Sequence, residues 1–259
     1  MALTFNWSTA RSFLAEGLCT ALFSYAVYSV VTGISIINEP GSQMICVCLA
    51  ITLSSIGVIY SFMDITIAHF NPAITLAAVV TGKLPVGMGI GYIVMQHLGA
   101  MAASALMLLC KPGASSVLLG ETRSTIYPDA TRWNAVITET ILTGILTYIV
   151  FSVAINVFNP PTQVKIEIPD EVDNEDKFRV VTSQAPNRSA FAPIAIGYTL
   201  GFLSLLGLGS SGGVFNPAIS FAPALFSGVW TNIWVYFLGQ YIGGVIGGLL
   251  HIFVFAKSI

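Results

Sequence analysis

Gly212-Gly213-Val214-Phe215-Asn216-Pro217-Ala218-Ile219-Ser220 has a near-twin upstream, Ala68-His69-Phe70-Asn71-Pro72-Ala73-Ile74-Thr75. Each stretch sets Asn-Pro-Ala at the head of a short apolar run, Ile219 to Phe226 in one case and Ile74 to Val80 in the other. Asparagine is a favoured N-cap, and proline suits the first helical position, where its missing N–H costs nothing. Both stretches therefore read as helix starts. Both runs close early, at Gly82 and Gly228. A bilayer core of about 30 Å needs about 20 helical residues, so neither run can cross one. In a soluble protein these are two ordinary capped helices. In a membrane protein, broken helices with N-termini at membrane depth line a permeation path.

Composition separates the two settings. Of 259 residues, 55% are hydrophobic and only 8% charged, and the mean hydropathy is +0.82. Soluble domains carry about 25% charged residues, so this is a polytopic membrane protein. The formal net charge of −2 says nothing about nucleic acid, but no basic run or stacking platform appears, so no nucleic-acid partner is expected. Cys19, Cys46, Cys48 and Cys110 all fall in apolar segments without metal-ligand spacing. They read as inert packing residues, with no metal site and no cofactor.

Six spans are expected in one domain covering residues 1–259: Ser12 to Ile37, Met44 to Ile67, Val86 to Cys110, Trp133 to Phe158, Phe191 to Gly209 and Thr231 to Ala256. The two half-helices follow the second and fifth spans. An internal repeat underlies this order, with repeat one at about 9–110 and repeat two at about 132–257. Glu16 followed by Thr20 is echoed by Glu139 followed by Thr143, and Gln96 followed by Gly99 is echoed by Gln240 followed by Gly243. Three spans per half is an odd number, so the halves insert in opposite orientations and the half-helix N-termini meet near the midplane. With the chain's ends on the cytoplasmic side, seven of the ten lysines and arginines lie inside, as the positive-inside rule favours.

Two helix N-termini facing each other focus positive potential at one point. A cation or a hopping proton there meets two dipoles of one sign. A water is merely turned, its oxygen held by the Asn71 and Asn216 amides and its hydrogens pointing away on both sides. The arrangement passes water or a small neutral solute and breaks a proton wire. No nucleophile–base pair or phosphate loop is visible, so no catalytic residue is assigned and the chain does not read as an enzyme.

With these residues in view, the chain resembles the aquaporin (major intrinsic protein) family over nearly its whole length. Asn71-Pro72-Ala73 and Asn216-Pro217-Ala218 match the two family signatures, and the buried glutamates and glutamines fit as well. The resemblance implies an all-α polytopic fold, six transmembrane helices plus two re-entrant half-helices in an inverted repeat, forming a right-handed bundle. It also implies a homotetramer in the lipid bilayer with one pore per subunit and no cofactor. Its site would be a plasma membrane or an intracellular vacuole membrane. Counting within the family pattern assigns the outer constriction to Ile51, Ser204, Gly213 and Ile219. The last position is usually arginine, which supplies hydrogen bonds and a cation-repelling charge. With Ile219 the constriction is expected to be wider and more apolar. Arg123, folding in from the outer connection, is one candidate replacement. Ser220, Ala224 and the Tyr236-Phe237 pair resemble the water-selective members. Water is therefore the expected permeant, with glycerol, urea, ammonia or hydrogen peroxide as the alternative.

Glu16 and Glu139 admit two roles, proton relays or acceptors for the non-helical backbone of their own half; their symmetric placement favours the second. His69, Gln96 and Gln240 are assigned to the same bracing of the loops. The connection at 159–189 holds six of the chain's twelve acidic residues, and Pro160, Pro161, Pro169 and Pro186. It reads either as a solvated linker or as a cytoplasmic lid. In the second case Val172, Phe178, Val180 or Val181 would plug the mouth, and phosphorylation at Thr182 or Ser183 would shift it.

Overall fold

The computed structural model describes residues 6–34, 37–111, 126–156, 161–167, 178–184 and 188–256. Asn6 opens the first helix, α1 (Trp7–Gly33), by accepting from the Thr9 N–H at 2.9 Å. Pro40 begins α2 (Pro40–Thr66), and Asn71 caps α3 (Pro72–Val80). α4 spans Val86–Cys110. A capping box between Thr131 and Asn134 starts α5 (Arg132–Val150), which ends in a π-turn, Phe151–Ile155. After a short 3-10 turn, Arg188–Phe191, come α6 (Ala192–Leu206), α7 (Pro217–Ser227) and α8 (Ile233–Leu250). A second π-turn, His251–Phe255, closes α8.

Six of these segments are long and apolar enough to cross a membrane. The remaining two, α3 and α7, hold 9 and 11 residues. At 1.5 Å per residue they are about 13 and 16 Å long, so end to end they match one bilayer core of about 30 Å. The helix ends differ from the hydropathic boundaries by a few residues. The first span, for example, starts at Trp7 rather than Ser12, because Asn6 caps it and one charged residue, the exposed Arg11, is tolerated near the helix end. Phe158, expected to close the fourth span, lies outside the described residues.

The all-α architecture carries one addition. Pro161–Glu167 (β1) and Phe178–Gln184 (β2) pair antiparallel, Pro161 opposite Gln184 and Glu167 opposite Phe178. The cause is local. Both segments are rich in β-branched residues, Val164, Ile166, Val180, Val181 and Thr182, which favour a pleated backbone over an unstructured linker.

The bundle obeys the repeat. α1 packs on α4 as α5 packs on α8, and each half-helix lies against the third span of the other half, α3 on α8 and α7 on α4. Lipid is as apolar as leucine, so helices associate here through close backbone approach rather than through hydrophobic burial. Gly99 abuts the Gly17 carbonyl, and Gly243 abuts that of Thr140; a Cβ at either position would overlap the oxygen. Phe23, Ile51, Phe70, Phe215 and Ile219 belong to one buried apolar cluster.

Candidate functional site

At the centre, two buried carboxylates each gather four donors. Glu16 Oε1 accepts from the Thr66 hydroxyl and, at 2.9 Å, from the His69 N–H; its Oε2 accepts from the Phe70 N–H at 2.9 Å and from Gln96 Nε2 at 2.7 Å. In the second half Glu139 Oε1 accepts from Ser211 Oγ at 2.6 Å and the Val214 N–H at 3.0 Å. Its Oε2 accepts from the Phe215 N–H at 2.7 Å and Gln240 Nε2 at 2.8 Å. Thr66, His69 and Phe70 precede Ser211, Val214 and Phe215 by 145 positions in every case, as Asn71 precedes Asn216. Four donors use the lone pairs of a carboxylate on both oxygens. Neither glutamate has exposed surface, so both bind chain rather than solvent. The glutamines reach one step further, to Thr75 Oγ1 at 2.9 Å from Gln96 and to Ser220 Oγ at 3.3 Å from Gln240.

These bonds hold an unusual backbone. Ile67, Ala68 and Phe70 have φ of 66°, 54° and 32°, and Phe215 has φ of 39°, a region that residues other than glycine seldom occupy. The turn aims the carbonyls of Phe70 and Phe215 across the midplane. There the two asparagines cross: Asn71 Nδ2 donates to the Phe215 carbonyl at 2.8 Å and Asn216 Nδ2 to that of Phe70 at 2.9 Å. Each Oδ1 caps its own half-helix, accepting from Ala73 N at 2.9 Å and from Ala218 N at 3.0 Å. Both side-chain amide planes are thus fixed at two atoms. An amide NH₂ has two hydrogens, so each asparagine keeps one N–H beyond those bonds.

On the α7 side, Ile51, Ser204, Gly213 and Ile219 are all buried. Gly213 lies against the Ser204 turn, where a Cβ would stand 3.4 Å from Ser204 Cα. The Ser204 hydroxyl is turned back on its own helix, donating to the Gly201 carbonyl at 2.6 Å. Ile51 and Ile219 belong to the same buried apolar cluster. Arg123 lies outside the described residues. On the α3 side a cavity of about 250 Å³ is lined by residues that include Asp64, Thr66, His69, Lys83 and Tyr92. The His69 ring is held by Thr75 Oγ1, 3.2 Å from Nδ1. Of the lid candidates, Val172 lies outside the described residues. Phe178, Val180, Val181, Thr182 and Ser183 form part of β2, with backbone opposite Glu167, Lys165, Val164, Gln163 and Thr162.

Several contributors escaped the sequence reading. Thr66 and Ser211 are hydroxyl residues at matching places in the two repeats, a signal that aligning the halves would have supplied. Tyr236, read from the sequence only as one of an aromatic pair, donates to the Ser211 carbonyl at 2.8 Å. Tyr28 donates to the Ile219 carbonyl at 3.1 Å across 191 positions, a separation over which no local motif operates.

Six spans, two re-entrant half-helices and paired asparagines at their junction define an integral membrane protein built from an inverted repeat. Comparison with known proteins agrees. The family model for the major intrinsic proteins matches residues 4–164 and 178–251. The chain is 43% identical over 255 residues to an aquaporin of Encephalitozoon intestinalis, covering 96% of each chain. It is 44% identical over 250 residues to an aquaporin of Encephalitozoon cuniculi, again covering 96% of each. Among solved structures the aquaglyceroporin from Plasmodium falciparum superposes with a TM-score of 0.74 over 95% of this chain and 96% of its own, at 17% identity. The chain belongs to the major intrinsic protein family. It is a membrane channel of that family and not an enzyme.

Proposed function

We propose that the protein is a passive water pore whose proton barrier is the crossed pair Asn71 and Asn216. The observation carrying this reading is that both asparagines sit at helix N-termini with one amide N–H each unspent. Each terminus carries about half a positive charge. A water passing between them gives its oxygen to the two N–H groups, and its hydrogens then point toward opposite mouths. Neighbouring waters on both sides accept hydrogen bonds from it, and no proton can be relayed through. Glu16 and Glu139 act through the loops: by binding the N–H groups before each asparagine they keep the two donors aimed at one point.

Ile51, Ser204, Gly213 and Ile219 are the outer constriction in this reading. Ile219 in place of a charged residue favours a second permeant class, small neutral solutes such as glycerol, urea, ammonia or hydrogen peroxide. The resemblance in fold to an aquaglyceroporin is compatible with it. The chain works as a single domain of two repeats, assembled as a homotetramer with both ends cytoplasmic in a plasma or vacuolar membrane. The hairpin of β1 and β2 then lies on the cytoplasmic side as a gate. Stopped-flow shrinkage of proteoliposomes under water and glycerol gradients, on wild type and Ile219→Arg, tests the permeant. Fast water flux with glycerol flux at the level of empty liposomes supports the water pore. Glycerol entry that Ile219→Arg abolishes selects the solute channel instead.

A further inference from the structure

α7 contains a proline in its interior, Pro223. In an α-helix the N–H of residue i donates to the carbonyl of residue i−4. Proline has no N–H, and its ring pushes that carbonyl aside. The carbonyl deprived here is that of Ile219, in the first turn after Asn216. The Tyr28 hydroxyl, buried on α1, donates to this oxygen at 3.1 Å.

The repeat supplies an internal control, the equivalent contact between the two halves. Ile74 and Ala78 precede Ile219 and Pro223 by 145 positions, the offset that relates the two asparagines. Phe151 follows Tyr28 by 123 positions, the offset that relates the two glutamates. Phe151 is buried against Ala77 and Ala78 of α3. Where the half-helix has alanine, with its N–H in place for the Ile74 carbonyl, the facing aromatic ring has no hydroxyl. Where the half-helix has proline, the facing ring is a phenol. The hydroxyl and the missing donor meet where the first helix of one repeat faces the half-helix of the other, and at the equivalent meeting of Phe151 with Ala78 both are replaced.

We infer that Tyr28 is a positioning residue for the outer constriction: its hydroxyl holds the Ile219 carbonyl that Pro223 leaves without a donor, and so keeps that oxygen away from the permeating solute. The inference rests on the reading that Ile219 borders the constriction. Without the hydroxyl, the carbonyl seeks a donor from the pore, and a polyol hydroxyl supplies one as readily as water does. The apolar wall then gains an acceptor, and discrimination against polyols falls.

The test measures the ratio of glycerol to water permeability in proteoliposomes of the full chain, for wild type, Tyr28→Phe, Pro223→Ala and the double variant. Tyr28→Phe is expected to raise the ratio about two- to tenfold, the range set by one ordinary hydrogen bond. Pro223→Ala restores an N–H to the Ile219 carbonyl, so the double variant is expected to match Pro223→Ala alone. A rise that persists in the double variant overturns the inference, as does an unchanged ratio in Tyr28→Phe at wild-type water flux. If Tyr28→Phe fails to fold, recovery of folded protein in the double variant supports the pairing of hydroxyl and proline, and failure to recover it overturns the pairing. Ile219→Trp separates the two layers of argument. If it blocks neither flux, the constriction reading falls with the inference. If it blocks both while Tyr28→Phe changes nothing, the inference alone falls.

Discussion

The loop entering α3 and the loop entering α7 follow the same path with different residues. At two positions that match across the repeats the upstream loop has Ile67 and Ala68, at φ of 66° and 54°, and the downstream loop has Gly212 and Gly213, at 83° and 69°. A left-handed backbone costs an L-residue about 1–2 kcal/mol, whereas glycine adopts it freely but loses more entropy on folding. The same geometry is therefore reached once through strain and once through chain entropy. The carboxylate behind each loop explains why both routes succeed. Four hydrogen bonds from loop and glutamine converge on Glu16, and four on Glu139. Those bonds, rather than the local propensity of the loop residues, hold the turn.

The largest expected effect comes from removing a carboxylate. Glu16→Leu and Glu139→Leu each leave four buried donors without an acceptor, at about 1–3 kcal/mol per group, a total comparable with the whole stability of a domain. Neither variant should yield folded, water-conducting protein in detergent extraction followed by reconstitution. A variant of one half that folds normally would break the equivalence of the two loops. Next comes the glycine side of the comparison. Gly213→Ala forces a left-handed alanine and sets its Cβ 3.1 Å from the Leu203 carbonyl oxygen. It should cost at least about 1–2 kcal/mol, read as a lower unfolding temperature in detergent. Ala68→Gly, the reciprocal change, relieves strain while adding chain entropy, and should shift stability by less than about 1 kcal/mol.

A smaller effect is expected at the caps. Asn71→Ala and Asn216→Ala each remove one cap, worth about 1 kcal/mol, together with one crossed bond, and water flux should fall to a similar extent in both. Unequal losses would show that one half-helix dominates the pore. The smallest effect is expected from His69→Val, which gives the first loop the residue that the second has at Val214. The backbone N–H at both positions already reaches a glutamate, so water flux should remain within about twofold, less than one ordinary hydrogen bond is worth.

Much of this arrangement was legible in the sequence. The low charge content and the doubled Asn-Pro-Ala declared a membrane bundle with two broken helices. Glu16 and Glu139 stood out because a carboxylate inside an apolar span demands partners. Their hydroxyl partners, Thr66 at a helix end and Ser211 in a turn, were hidden, since serine and threonine are ordinary at such places and only an alignment of the halves exposes them. Pro223 was visible but mute: nothing within a few residues tells which group takes the place of its absent N–H. Tyr28 does so from another helix. The strands at 161–167 and 178–184 were obscured by the acidic, proline-containing sequence around them, although their own β-branched residues carried the signal.

The most direct measurement records water and proton flux in the same proteoliposomes, with osmotic shrinkage followed by light scattering and internal pH by a trapped dye. If opposed helix ends and crossed asparagines form the pore, water flux will far exceed that of empty liposomes while proton flux stays at the background level. Water flux no greater than that of empty liposomes from folded, reconstituted protein, or a proton current that rises with it, would contradict the account.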